Sequence, residues 1–344
     1  MSTMRAAVLT TPKHFELREV PVPSIGPEDV LVRVTRTGIC GTDIHIFNGH
    51  YAADRLPLIP GHEFCGVIAE CGANVRHLAA GMRVVVDINI GCGTCFWCRR
   101  NEVLNCAEVT QVGIGRDGAF AEFVAVPARL AIPVEVAIAD DVLVLTEPVA
   151  CVVRAARKAE VTFGQSVVIF GAGPIGNLHV QMMRLVGAAP IIVADLSAER
   201  CRMALEAGAD AAVSDPAALK QTIWRMTGGR GADLVIESVG SRKLYEQAFD
   251  LIRRGGHVAF FGITPPGETV PVDILRTVLE EASLKGSVAG MGEDMHDALT
   301  LLSHGRFRTT DFTKAAYRLE DIQEAFETLG ARPQDLKTQI AIAA

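Results

Sequence analysis

The stretch from Val167 to Asp195 constrains this chain more than any other. An apolar run, Val167 to Phe170, reads as a buried strand and meets Gly171-Ala172-Gly173-Pro174-Ile175-Gly176. A helical pattern follows with Met182, Met183, Leu185 and Val186, and a second apolar run, Ile191 to Ala194, ends on Asp195. Strand, Gly-rich turn, helix and a second strand with a terminal carboxylate form a dinucleotide-binding unit of Rossmann type. Gly171 permits the tight turn, Gly173 lets backbone N–H groups approach a pyrophosphate at the helix N-terminus, and Gly176 lets the helix pack close to the sheet. Glycines at this spacing are weak evidence alone; the apolar runs around them and the carboxylate 24 positions after Gly171 make them specific. The cofactor-binding positions are then Gly171, Gly173, Pro174, Ile175, Gly176 and Asp195.

At 344 residues the chain has room for about two domains. Its 49% apolar and 21% charged residues suit a compact fold, and the net charge of -7 argues against a nucleic-acid partner. No uninterrupted apolar run approaches the roughly 20 residues of a membrane span, and MSTMRAAVLT lacks a signal core, so a cytoplasmic location is expected. From residue 6 to about 140, short β-rich runs (AAVL, FELREV, DVLVRV, GVIA, RVVV, AEFV) alternate with Pro and Gly turns, which predicts a mainly β domain. After Glu147-Pro148 the pattern changes to helices alternating with buried runs, VVIF, IIVA, LVIES and HVAFFG, as in a parallel sheet with crossover helices. A late helix is expected from Ala298, another over Leu319–Leu329, and a strand at QIAIA.

Of the nine cysteines, four crowd into Cys92-Gly-Thr-Cys95-Phe-Trp-Cys98 and Cys106. Such spacing lets thiolates converge on one small ion, and all-sulfur tetrahedral coordination with no open position suits a structural zinc. On spacing alone iron or an iron–sulfur cluster also fits. A different constellation lies in Cys40-Gly-Thr-Asp-Ile-His45 and Gly61-His62-Glu63. Cys40 and His62, with oxygen from Glu63 or the later Glu147, describe a zinc that keeps room for substrate. Asp43 is placed to take the second ring N–H of His62.

Together these motifs, in this order, resemble the zinc-dependent medium-chain dehydrogenase/reductase family along essentially the whole chain. The resemblance implies an α/β protein: a doubly wound Rossmann domain over 151–289, inserted into a mainly β GroES-like catalytic domain, 1–150 and 290–344, with a four-cysteine zinc lobe. It implies two Zn2+ per chain, one catalytic and one structural, with Cys40 and His62 as catalytic ligands and Glu63 bound or close by. Glu147 stands where polyol and threonine dehydrogenases carry a carboxylate near the metal; Cys151 is its rival. Thr42 and His45 match the family's proton relay, which runs through the nicotinamide ribose to His45 near solvent. Ser283–Ser287 reads as the last Rossmann strand, at whose edge members often dimerise, so a homodimer or homotetramer is expected.

The carboxylate of Asp195 can accept both adenosine ribose hydroxyls of NAD and would repel a 2′-phosphate. Arg200 and Arg202 are the counter-signal, read as surface partners of Glu199 or Glu206, and Arg200 is kept as a cofactor-binding candidate. The implied reaction is zinc-assisted oxidation of a secondary hydroxyl, with a small polyol as the favoured substrate in the manner of sorbitol dehydrogenases. Ser287-Val288-Ala289-Gly290 departs from that group, lacking its Arg and aromatic residue. L-Threonine is the alternative substrate, and an NAD-binding zinc scaffold without catalysis is the alternative class. Ile46, Phe47, His50 and Met291 are the expected selectors of substrate shape.

Overall fold

The computed structural model describes residues 2–329 and 334–342. They fall into two compact units: residues up to Ala150 with Gly290–Gly305 and those from Thr309 on, and Cys151–Ala289 with Arg306–Arg308.

The first unit opens with a hairpin of β1 (Thr3–Thr11) and β2 (His14–Pro21). There follow β3 (Asp29–Gly38), helix α1 (Gly41–Phe47), β4 (Glu63–Cys71), β5 (Arg83–Val86), β6 (Asn89–Ile90), β7 (Thr110–Gln111), β8 (Phe123–Pro127) and β9 (Ala131–Pro133). Helix α2 (Asp140–Leu143) and the start of α3 (Thr146–Ala159), which belongs to the second unit from Cys151 on, complete this stretch. Val30, Val32 and Val34 of β3 are fully buried, the period-two burial of a strand with one face on a core. That core includes Phe15, Phe47, Phe120 and Phe326, with ring centroids of Phe15 and Phe326 4.9 Å apart and of Phe47 and Phe326 5.0 Å apart. Each such ring contributes roughly 1.5–3 kcal/mol by leaving water.

The second unit runs β10 (Val167–Phe170), α4 (Pro174–Leu185), β11 (Ile191–Ala194), α5 (Ala198–Ala207), β12 (Ala211–Val213), α6 (Pro216–Met226), β13 (Ala232–Glu237), α7 (Arg242–Phe249), β14 (Ile252–Phe260), α8 (Ile274–Leu279) and β15 (Ser283–Gly286). All neighbours pair in parallel in the order β12-β11-β10-β13-β14-β15, which is the doubly wound dinucleotide-binding order. Local chemistry sets the helix ends. Ser197 Oγ accepts the amide of Arg200 to cap α5, Asp215 accepts that of Ala217 to cap α6, and Gly208, at φ 110°, terminates α5.

Chain from α9 (Glu293–Ser303) through β16 (Ala315–Arg318), α10 (Ile322–Glu327) and β17 (Thr338–Ala341) then rejoins the first unit. There β17 pairs antiparallel with β3 in a seven-stranded sheet, β16-β17-β3-β4-β5-β9, with β8 also on β3. The late helix begins at Glu293 rather than Ala298, because Gly292 breaks the backbone at φ +52° and Glu293 and Asp294 suit a first turn. The expected helix over Leu319–Leu329 is a 3-10 turn, Leu319–Asp321, followed by the short α10. Among the described residues no helix is long and apolar enough to cross a membrane.

Candidate active site and metal centres

Strand register builds the first metal centre. Pairing of β3 with β4 sets Gly38 opposite Glu63, so Cys40, two residues beyond, and His62, one before, leave the sheet at the same end. Gly61 turns the chain into this position at φ +97°, and a Cβ there would meet the Phe120 backbone nitrogen at 2.8 Å. Donor atoms of Cys40, His62 and Glu63 all lie within 4.8 Å of one another. His62 Nδ1 is 3.2 Å from Asp43 Oδ1, which leaves Nε2 for a metal. Asp43 Oδ2 in turn accepts the Cys40 amide at 2.8 Å and ties the helix start to the cluster. One thiolate, one imidazole and one carboxylate, nearly dry, suit zinc with an open position. Glu147 is buried in the first turn of α3 but stands outside the three converging donors. Cys151, one turn further along α3, is buried and not among them either.

The sequence reading missed Lys337. It is 5% exposed, and its ammonium ion-pairs with Glu63 Oε2. Burial opposes its charge, but Glu63, Cys40 and Glu147 outweigh burial and hold the ammonium above its ordinary range. Gly38 makes room for this pair: a Cβ there would strike Glu63 Oε2 and meet Lys337 Cε at 2.7 Å. A lone lysine ahead of the apolar QIAIA strand was the available signal.

Thr42 and His45 lie one turn apart on α1, with Thr42 Oγ1 3.9 Å from Cys40 Sγ and His45 half-buried. His50, exposed, has its ring 6.4 Å from that of His45. Ile46 and Phe47 are corrected from the expectation. Both are buried in the hydrophobic core, Phe47 against Phe15 and Phe326, rather than at an open surface.

The four cysteines converge as a second centre, with Cys92, Cys95, Cys98 and Cys106 sulfurs within 4.8 Å of one another. Amides of Thr94 and Cys95 stabilise the Cys92 thiolate and lower its thiol to about 6, and Cys95 Sγ faces the Cys98 amide at 3.5 Å. Four convergent sulfurs, one already anionic near neutral pH, fit a zinc ion with no site left for substrate.

In the second unit Gly171, at φ +93°, turns β10 into α4, whose first residues are Pro174 and Ile175 behind the N-cap Gly173. A Cβ on Gly176 would collide with the Gly171 carbonyl. Asp195 follows β11 directly, with Oδ2 accepting the Ala172 amide at 2.7 Å and Oδ1 that of Ser197 at 2.8 Å. Its carboxylate therefore sits beside the Gly-rich turn. The two arginines behave differently. Arg202 pairs with Glu199 and Glu206, as expected of a helix surface. Arg200 instead lies over the turn, its Nη1 3.9 Å from where a Gly173 Cβ would be and its Nε buried without a hydrogen-bond partner. Arg200 thus lies beside the Gly-rich turn.

Comparison with known proteins agrees with this geometry. Residues 26–136 match the family model "Alcohol dehydrogenase GroES-like domain", and residues 174–304 match "Zinc-binding dehydrogenase". An L-threonine 3-dehydrogenase of Mesorhizobium japonicum is 30% identical over 91% of this chain and 91% of its own. D-arabinitol dehydrogenase 1 of Uromyces fabae is 29% identical over 96% of this chain and 95% of its own. Among solved structures, a zinc-binding dehydrogenase of Sinorhizobium meliloti bound to NADP superposes with a TM-score of 0.93 at 32% identity, over 99% of this chain and 100% of that one. A short chain alcohol dehydrogenase of Escherichia coli CFT073 complexed with NADH gives 0.92 at 26% identity, again over 99% and 100%.

Proposed function

We infer the reaction from the premise that this chain belongs to the zinc-binding medium-chain dehydrogenase/reductase family. It is a zinc-containing, NAD-dependent dehydrogenase that oxidises a hydroxyl group by hydride transfer. Cys40, His62 and Glu63 would hold the catalytic zinc, and Cys92, Cys95, Cys98 and Cys106 the structural one. Zinc at the first centre supplies the positive charge that makes a substrate hydroxyl acidic near neutral pH, and NAD supplies the hydride acceptor. Asp43 fixes the ring orientation of His62. Thr42 accepts a hydrogen bond from the ionising hydroxyl and gives up its own proton toward the nicotinamide ribose, and His45, half-buried on the same helix, is the final acceptor nearer solvent. Gly173 and Pro174 would present the start of α4 to the pyrophosphate, and Asp195, beside the Gly-rich turn, would take the adenosine ribose. In the balanced reaction the carbinol C–H leaves as hydride, the O–H proton goes to the relay, and a ketone remains.

The substrate we assign is a small secondary alcohol with a polar group on the neighbouring carbon, and L-threonine stands first. The observation that supports it is the L-threonine 3-dehydrogenase aligned along nine-tenths of both chains. Glu147, buried and within electrostatic reach of Lys337 beside the centre, makes the surroundings polar, which suits an ammonium or hydroxyl better than a long aliphatic chain. A four- to six-carbon polyol is the second reading, favoured by the D-arabinitol dehydrogenase relative. The deciding experiment is NADH formation from L-threonine, stereochemically defined polyols, butanediols and simple alcohols, compared as kcat/KM. Threonine leading supports the first assignment, a pentitol or hexitol leading the second, and preference for a simple primary alcohol refutes both.

The protein also works as a homo-oligomer in this proposal. Strand β15 ends its sheet, and nearby α8 exposes Ile274, Leu275, Val278 and Leu279, each more than two-thirds bare, more apolar surface than a single chain keeps without a partner.

A further inference from the structure

Glu237 closes β13 with a carboxylate that has no exposed surface. Its Oε1 accepts the amides of Val239 at 3.1 Å, Gly240 at 3.1 Å and Ser241 at 3.3 Å, and Oε2 accepts Gly240 again at 2.9 Å. Successive N–H groups curled round an anion form a nest, and here the anion comes from the chain itself. The Glu237 carbonyl meanwhile accepts the amides of Phe261 at 3.1 Å and Gly262 at 2.9 Å from the turn after β14. Tyr245 fastens that second turn, donating its hydroxyl to the Gly262 carbonyl at 2.5 Å. The turns touch so closely that a Cβ on Gly262 would meet Glu237 Oε2 at 2.5 Å and Gly240 Cα at 2.7 Å. The buried carboxylate thus shapes the turn after β13, and the carbonyl of the same residue ties that turn to the one after β14.

Those ends border the nucleotide turn. Ser238 Oγ donates to the Phe170 carbonyl at 2.6 Å, at the end of β10, and Val239 Cγ2 is 2.8 Å from where a Gly171 Cβ would stand. Val239 and Ile263, one from each turn, are 54% and 53% exposed at the edge where open parallel sheets bind ligands. We propose that Glu237 is a positioning residue for the cofactor: it never touches NAD, but its carboxylate holds the turn after β13, and through it the neighbouring turn, in the shape that the bound nucleotide needs. Without its charge the nest N–H groups lose their common acceptor, and free NAD has to order the turns at the expense of its own affinity.

The test compares Glu237→Gln and Tyr245→Phe with the parent zinc-loaded enzyme. Glu237→Gln places an amide NH2 against amide donors and should raise the KM for NAD and the calorimetric Kd for NADH by about tenfold. Tyr245→Phe, a milder change that keeps the nest, should raise both by about threefold. In both, kcat at saturating NAD and the KM for the alcohol should stay within about twofold of parent values, since chemistry is untouched. If Glu237→Gln does not fold, the Tyr245→Phe values decide alone. A lowered melting temperature with an unchanged Kd for NADH would make the cluster a structural brace and overturn the proposal. A fall in kcat with the Kd unchanged would overturn it equally.

Discussion

Replacing Lys337 with Met tests how the catalytic centre keeps its negative charge. Lys337 and Glu63 are 5% and 1% exposed, so solvent screens neither, and Cys40 and Glu147 add negative charge to the same surroundings. Met fills the lysine stem but leaves the Glu63 carboxylate without its organic counter-charge, a loss of about 3–5 kcal/mol by analogy with broken buried pairs. In a Glu63→Gln background the same substitution strands no charge and should cost only about 1 kcal/mol. The expected coupling is therefore about 2–4 kcal/mol. Urea unfolding of the parent, both single variants and the double variant, followed by circular dichroism at saturating zinc and again after chelation, measures it. The coupling should be smaller with zinc present, because the ion supplies positive charge beside Glu63. Costs that simply add, with or without zinc, would show that the ion pair does not govern the energetics of the site, and the argument would fail.

Cys95→Ser should lower the folding yield and melting temperature of the whole protein, whereas Cys40→Ala should abolish most turnover at nearly unchanged stability; zinc per chain, measured by atomic absorption, should fall from two to one in each. Asp195→Ala should raise the KM for NAD and lower the NAD/NADP ratio of kcat/KM by about tenfold or more, since ribose contact and phosphate repulsion are both lost; an unchanged ratio would remove Asp195 from the ribose. Burial tends to raise the Asp233 carboxyl, but the hydroxyl and amide of Ser166 and the Arg253 guanidinium overcome it and hold the group below its ordinary value. A depressed folded-state value means that its stabilising contribution is full above the ordinary carboxylate range and disappears as pH falls through the folded value. Asp233→Asn should therefore lower the urea midpoint at pH 7 and converge with the parent in strong acid; a gap independent of pH would assign the loss to packing.

The nucleotide turn and the four-cysteine lobe were legible in the sequence because their chemistry is local. Gly171, Gly173 and Gly176 fall within one turn, and three of the four cysteines within seven positions. Cys40, His62 and Glu63 were legible as ligand types, yet their convergence depends on the β3–β4 register. Which carboxylate joins them was not readable: Glu63 and Glu147 have the same chemistry, and only the sheet brings one of them inside the cluster. Lys337 was missed for the same reason, since its partner reaches it only when β17 pairs with β3. Ile46 and Phe47 misled because adjacency to Thr42 and His45 in sequence says nothing about direction on a helix. At roughly 100° per residue, Phe47 lies on the far side of α1 from Thr42 and His45, against the phenylalanine core.

That same pairing has a consequence for biosynthesis. A ribosome completes β3, Cys40, His62, Glu63 and β4 long before it reaches Lys337. The nascent chain therefore carries an acidic, thiol-bearing cluster whose counter-charge has yet to be made. Once β17 docks, the ammonium takes its place beside the carboxylate. Cys40, His62 and Glu63 are thus encoded within 24 positions of one another, whereas the counter-charge of Glu63 comes from the far end of the chain.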